Sequence, residues 1–352
     1  MVSPGAATSS ATPVVSVGVI GGSGFAGSEF LRLAVAHPGI EVLWATGESQ
    51  AGTAIGDLYP GLAAAYRGRS FVAYEPHLLE SVDAVVLALP HGASQALVAE
   101  LVDHVSWVID LAADFRMADP SLYDQWYGAP HTNPGLLASF VYGLPELYRS
   151  EIAATTRVAA PGCYPTAAIL VLAPLVAAGL IDPTRVIVDA ASGASGAGRP
   201  PKPNTTFCAV DEDFTAYGLL THRHTPEMEL HTGAGILFTP HLAPMNRGIL
   251  ATCYGVPAGG VSSTEELLAA LHDAYADEPF VVVSDRSPST KATLGSNTAH
   301  LSARYDPRTN TVIALSAIDN LVKGTAGQAI QCLNLMVGFD EALGLPIVGV
   351  TP

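Results

Sequence analysis

Positive charge is scarce in this chain: 16 Lys and Arg stand against 32 Asp and Glu, for a formal net charge of −16. A protein this acidic repels nucleic acid and anionic membrane surfaces, so neither is an expected partner. Cysteine is also sparse. Cys163, Cys208, Cys253 and Cys332 are far apart and form no CxxC pair, which argues against a zinc site or a disulfide framework. No metal is expected, and a reducing, cytoplasmic compartment is the simpler expectation. Long hydrophobic runs are missing as well. The longest, residues 166–181, is interrupted by Pro174 and Gly179 and stops at Asp182, too short to cross a bilayer and better read as a core helix. Residues 1–13 hold no Lys, no Arg and no apolar stretch, and read as a loose tail rather than a signal peptide. Where cations are few, their positions carry information. Arg116, Arg199, Lys202, Arg223, Arg247 and Lys323 lie in segments rich in Gly, Pro, His or Asn. Singly each reads as a solvated loop charge; together they point to a site that collects a polyanion.

The chain has 352 residues, 49% of them apolar and 14% charged, enough for two domains sharing a cleft. Strand-like runs at 14–20, 40–45, 83–89 and 107–111 alternate with helical spacing at 25–36 and 93–102. This rhythm predicts an α/β, Rossmann-type, doubly wound parallel sheet over 14–162. Beyond Cys163 the pattern changes. A helix at 166–178 and a strand at 185–190 precede a long loop region to residue 240. Strands follow at 248–256, 280–284, 299–304 and 311–317, with a helix at 263–276. That predicts an α+β catalytic domain over 163–323 with a mostly antiparallel or mixed sheet. The segment 324–352, opening with a helix at about 324–336, is expected to return to the first domain.

Four segments carry chemistry. Gly22-Ser23-Gly24-Phe25-Ala26-Gly27 follows the first strand and opens a helix, the context in which GxGxxG cradles a dinucleotide pyrophosphate. The second strand ends at Thr46, with Glu48 and Ser49 just beyond. Thr46 and Ser49 suit a ribose 2′-phosphate and Glu48 suits a free 2′-hydroxyl, so the residues leave NAD and NADP open. Cys163 stands at a helix start, where backbone N–H groups and the helix dipole favour thiolate and mark a nucleophile. His222-Arg223-His224-Thr225-Pro226-Glu227 offers an acid/base histidine, with Thr225 expected as N-cap and Pro226 in the first turn; His241 is a weaker candidate. Arg116, past the end of a parallel strand, is placed to clamp a phosphate. The loop from Ser192 to Arg199 lets backbone approach a flat or anionic ligand.

Taken together, these segments resemble N-acetyl-gamma-glutamyl-phosphate reductase, the arginine-biosynthetic enzyme that makes N-acetylglutamate semialdehyde. The resemblance rests on GGSGFAGSE (from Gly21), LPHG (from Leu89), DLAADFR (from Asp110), VYGLPE (from Val141), APGCYPTA (from Ala160), SGASGAGR (from Ser192), HRHTPE (from His222), TPHLAPMNRGI (from Thr239) and DNLVKGTAGQA (from Asp319). It implies an NADP(H)-dependent enzyme that binds a small acyl phosphate and assembles as a homodimer or homotetramer. It implies Cys163 as nucleophile, His222 as acid/base and Glu227 as its supporting carboxylate, with Arg116, Arg199, His224 and Arg247 on the substrate side. The cofactor residues would be Gly21, Gly22, Ser23, Gly24, Phe25, Ala26, Thr46, Ser49, Pro90, His91, Ser192, Ser195, Gly196 and Asn320. Two positions depart from the family pattern: Glu48, and Ala112 where Ser is frequent. Aspartate-semialdehyde dehydrogenase and a non-catalytic NADP-binding sensor are the competing readings. A cysteine peptidase leaves the glycine turn without a role.

Overall fold

The computed structural model describes residues 14–350; the tail expected at 1–13 lies outside them. The first domain is built on six strands: β1 (Val15–Ile20), β2 (Ile40–Ala45), β3 (Ala84–Leu87), β4 (Trp107–Asp110), β5 (Val141–Tyr142) and β6 (Arg157–Ala159). Their order is β2-β1-β3-β4-β6-β5, and every pairing is parallel. Both faces are covered, which is why the strands read as continuous apolar runs. Val17, Val19, Ala84, Val86 and Ile109 pack with Phe30 and Leu31 of the helix Phe25–Ala34. Val85, Leu87 and Val108 pack with Val98 and Leu101 of the helix Ser94–Leu101 and with Tyr123.

The second domain carries β7 (Ile181–Gly193), β8 (Thr215–Ala216), β9 (Ile236–Ala243), β10 (Ile249–Pro257), β11 (Val281–Val283), β12 (Ala299–Asp306) and β13 (Thr311–Ile318). They form one mixed sheet, ordered β11-β12-β13-β10-β7-β9-β8. The helix Cys163–Ala177 is buried along most of its length and packs on this sheet beside the helix Thr264–Ala274. The opposite face leaves Ile187, Leu237, Tyr254 and Val256 exposed.

Three expectations change. The core helix starts at Cys163, three residues before the expected 166, with Pro165 in its first turn and Pro174 inside it. β9 lies in the region read as loop because Pro240 interrupts it. The proline is tolerated because only the two-residue β8 flanks that side, and it pairs at His241 and Leu242. The last helix runs Gly327–Met336 behind a π-helical turn, Val322–Ala326. Ala329, Ile330, Leu333 and Met336 join the first domain's core.

Candidate active site

The strand order reverses around β1, so the loops after β1 and β3 diverge and open a crevice at the C-terminal sheet edge. The glycine turn lies there. Gly21 has φ +88°, and a Cβ on it would sit 2.4 Å from Ala88 O, so only glycine fits. The helix Phe25–Ala34 starts without a side-chain cap, and a Cβ on Gly24 would meet nothing closer than 3.5 Å. Free N–H groups with open space above them fit a pyrophosphate. Thr46 is buried and its Oγ1 accepts the Gly21 N–H at 3.1 Å, so it braces the turn. Ser49 and Glu48 are exposed, Glu48 with φ +40°. Ser192, Ser195, Gly196 and Asn320 converge nearby: Asn320 Nδ2 donates to Ser195 Oγ at 3.0 Å while its Oδ1 accepts the Gly248 N–H at 2.8 Å.

Cys163 follows β6 on the same edge. Gly162 caps its helix, and a Cβ there would lie 2.6 Å from His224 Nε2 and 2.9 Å from Arg116 Nη1; both side chains therefore press against the peptide before the thiol. On the other side, a Cβ at Gly324 would lie 2.8 Å from Cys163 Cβ. Arg116 is buried, donating from Nε to Ala160 O at 2.8 Å, from Nη2 to Leu111 O at 3.1 Å and from Nη1 to Glu227 Oε2 at 3.3 Å.

Glu227 does not support His222, contrary to expectation. Its Oε1 accepts both the Gly162 N–H and the Tyr142 hydroxyl at 2.7 Å. The helix Thr225–Thr232 turns this carboxylate inward, where it fixes Arg116 and the approach to Cys163. Thr225 is not the N-cap either. His224 takes that position in αR conformation, and Thr225 Oγ1 donates to His222 O at 2.8 Å. His222 instead packs among Tyr164, Tyr217 and Phe238, its Nδ1 accepting the His224 N–H at 3.2 Å.

The thiol is not a resting thiolate. Burial pushes it up to about 11, and the opposing pull of Arg116 and the Tyr164 N–H does not overcome this. Burial likewise holds His222 down to about 4, with Arg223 adding to it, and holds His224 well below the usual range, with His222 and Arg116 adding to that. Near neutral pH the site therefore contains a thiol and two neutral imidazoles.

Arg199 and Arg247 lie elsewhere. Arg199 Nε donates to Ser23 O at 2.7 Å, beneath the glycine turn. Arg247 pairs with Glu29 at 2.7 Å and with Asp319 at 3.4 Å. Both line a cavity of about 660 Å³ with Phe25, Arg32, Tyr59 and Ser195. Pro90 is exposed and His91 Nδ1 lies 2.6 Å from Asp114 Oδ1. Tyr142, whose hydroxyl donates to Glu227 Oε1, was hidden in the VYGLPE segment; only its place in a motif marked it. Among the described residues no group of three or more His, Cys, Asp or Glu is placed to hold a metal, and no helix is long and apolar enough to cross a membrane.

Residues 16–155 match the semialdehyde dehydrogenase NAD binding domain, and residues 163–320 match the semialdehyde dehydrogenase dimerisation domain. A Pseudomonas putida protein named N-acetyl-gamma-glutamyl-phosphate reductase 1 is 44% identical over 96% of this chain and 100% of its own length. This chain belongs to the N-acetyl-gamma-glutamyl-phosphate reductase family. An Acidothermus cellulolyticus member of the same name is 47% identical over 96% of this chain and 99% of its own. The family assignment makes the chain an oxidoreductase with a nucleotide-binding first domain. Solved structures share the two-domain fold at low identity. Aspartate semialdehyde dehydrogenase II from Vibrio cholerae superposes with TM-score 0.69 at 16% identity, covering 92% of this chain and 98% of that one. The Candida albicans aspartate semialdehyde dehydrogenase, solved with NADP, gives 0.69 at 14%, again covering 92% and 98%.

Proposed function

We propose that this chain reduces N-acetyl-gamma-glutamyl phosphate to N-acetylglutamate 5-semialdehyde and phosphate in arginine biosynthesis, with NADPH as reductant and a thioester on Cys163. The reading is carried by one observation: a cysteine at a helix start, walled by Arg116 and His224, on the sheet edge that also holds the glycine turn. The names of the family's relatives support it. Gly21 to Ala26, Ser195, Gly196 and Asn320 would hold the cofactor, with Ser49 toward its ribose. Bound there, NADPH supplies the hydride. The choice of NADPH over NADH rests on the family, since Thr46 is engaged with Gly21 and Glu48 favours a free hydroxyl.

Because the thiol is protonated at rest, a neutral imidazole must take its proton as sulfur attacks the acyl carbon. We assign this to His222. Accepting at Nε2 means giving up the bond to Nδ1, a small cost at its length of 3.2 Å. Backbone N–H groups at the helix start face the developing oxyanion. Arg116 holds the acyl phosphate, and Glu227 holds Arg116. When the thiohemiacetal oxyanion collapses to the aldehyde, the C–S bond breaks and His222 returns its proton to sulfur. The same proposal divides the chain at 14–162 and 163–323, with 324–352 returning, in a cytoplasmic homodimer or homotetramer. The open sheet face bearing Ile187, Leu237, Tyr254 and Val256 is its contact surface, which light scattering on the parent and on Leu237→Glu would test. The function is tested by steady-state turnover: N-acetyl-gamma-glutamyl phosphate should be reduced with NADPH and aspartyl phosphate should not. The reverse preference would overturn the assignment.

A further inference from the structure

The departing phosphate needs a proton that nothing above supplies. When the C–O bond of an acyl phosphate dianion breaks, the bond's electron pair stays on phosphate, and without a proton donor the product is a trianion. Arg116 cannot give one up. Moreover, at least three of its N–H groups are engaged by Ala160 O, Leu111 O and Glu227, and Glu227 matches its charge.

A second imidazole stands on the same edge. His91 follows β3, and its Nδ1 lies 2.6 Å from Asp114 Oδ1, two residues before Arg116. Asp114 is fully buried and fixed by the Gly92 N–H at 2.8 Å, the Ser94 N–H at 3.0 Å and the Ser94 hydroxyl at 2.7 Å. Burial alone would push this carboxyl up, yet His91 and these donors hold it down to about 2, so it stays ionised behind the ring. The Tyr127 ring lies 4.2 Å from His91, centroid to centroid, and its hydroxyl donates to Arg223 O at 3.4 Å. One aromatic ring therefore separates His91 from the His222-to-His224 segment. With Nδ1 facing Asp114 and the side chain 20% exposed, Nε2 is directed away from the buried carboxylate.

We propose that His91, backed by Asp114, is a catalytic residue that binds the phosphate and protonates it as it leaves. In that step the Cys163 S–H bond breaks and its proton passes to His222. The S–C bond forms, the C–O bond to phosphate breaks, and His91 Nε2 gives its proton to the departing oxygen, so that hydrogen phosphate leaves. No electrons are exchanged with a redox partner, and His91 is reprotonated from solvent. The buried carboxylate beside Nδ1 orients the ring and leaves Nε2 free for the departing oxygen.

This inference rests on the acyl-phosphate reading, and the experiment separates the two. Parent, His91→Gln and His91→Lys enzymes are compared in single-turnover phosphate release from N-acetyl-gamma-glutamyl phosphate. They are also compared in acylation by p-nitrophenyl acetate, whose leaving group needs no proton, in iodoacetamide capture of Cys163, and in NADPH binding. Phosphate release by His91→Gln should fall about a hundredfold, the scale of a lost general acid, with the other three measurements unchanged. His91→Lys should recover the KM for inorganic phosphate in the reverse reaction but not kcat. Unchanged phosphate release, equal slowing of both acyl donors, or loss of NADPH binding would each overturn the assignment, the last making His91 a cofactor contact. A parent that does not reduce the acyl phosphate at all would instead refute the functional reading.

Discussion

Replacing Glu227 by Gln separates two accounts of that residue, because they differ in sign. Its side chain is 1% exposed and that of its partner Arg116 is 6% exposed. The amide keeps an oxygen for the Gly162 N–H and the Tyr142 hydroxyl but removes the negative charge facing Arg116. A buried cation left without its partner costs about 3 kcal/mol or more, so the denaturation midpoint should fall clearly. Glu227→Gln combined with Arg116→Met should recover part of that loss, since an apolar side chain carries no uncompensated charge. The thiol should respond in the opposite sense. Glu227 helps hold the Cys163 thiol up while Arg116 pulls it down, so removing the carboxylate should lower the thiol from about 11 and speed alkylation at pH 8. Turnover should nevertheless fall, because Arg116 and the helix start are no longer fixed. Iodoacetamide rates across pH, with steady-state kinetics, measure both effects. Slower alkylation in Glu227→Gln, with Arg116 undisturbed, would mean that Glu227 works through an imidazole after all.

Parent alkylation should climb about tenfold per pH unit toward about 11, since only thiolate reacts; a plateau by pH 7 would point to a preformed thiolate–imidazolium pair. His222→Asn should cost about a hundredfold in turnover and leave that alkylation profile almost unchanged, because a neutral imidazole does not stabilise resting thiolate. If His224→Asn gives the larger loss, the acid/base role belongs to His224. Gly162→Ala forces a Cβ to 2.6 Å from His224 Nε2 and 2.9 Å from Arg116 Nη1, so turnover should drop sharply with NADPH binding kept, as equilibrium fluorescence would show. Cys163→Ser should abolish turnover and still bind NADPH, whereas Cys253→Ala should cost stability alone, its thiol being buried among the apolar side chains of the second domain's core.

Four of the first domain's six strands were legible because they are apolar runs of the kind a parallel, doubly covered sheet requires, whereas β5 and β6, only two and three residues long, were too short to show a pattern. β9 was hidden because Pro240 argues against a strand unless its neighbour on that side is as short as β8. The site was legible where chemistry is local: a glycine turn opening a helix, a cysteine at another helix start, a His-Arg-His segment. It failed where partners are remote. Glu227 meets Tyr142 across 85 residues and Gly162 across 65, and no spacing announces such a pairing. The helix start at Cys163 was visible, but the burial that keeps the thiol protonated arises from tertiary packing. Arg199 and Arg247 looked equivalent to Arg116 among loop cations. Only the fold directs them to Ser23 and Glu29.

The most direct test of the central claim is intact and peptide mass spectrometry of the parent after mixing with N-acetyl-gamma-glutamyl phosphate in the absence of NADPH. One N-acetylglutamyl adduct is expected, on the peptide containing Cys163, formed with release of phosphate and discharged as semialdehyde when NADPH is added. Turnover with no adduct under any quench condition, or an adduct confined to another residue, would contradict it.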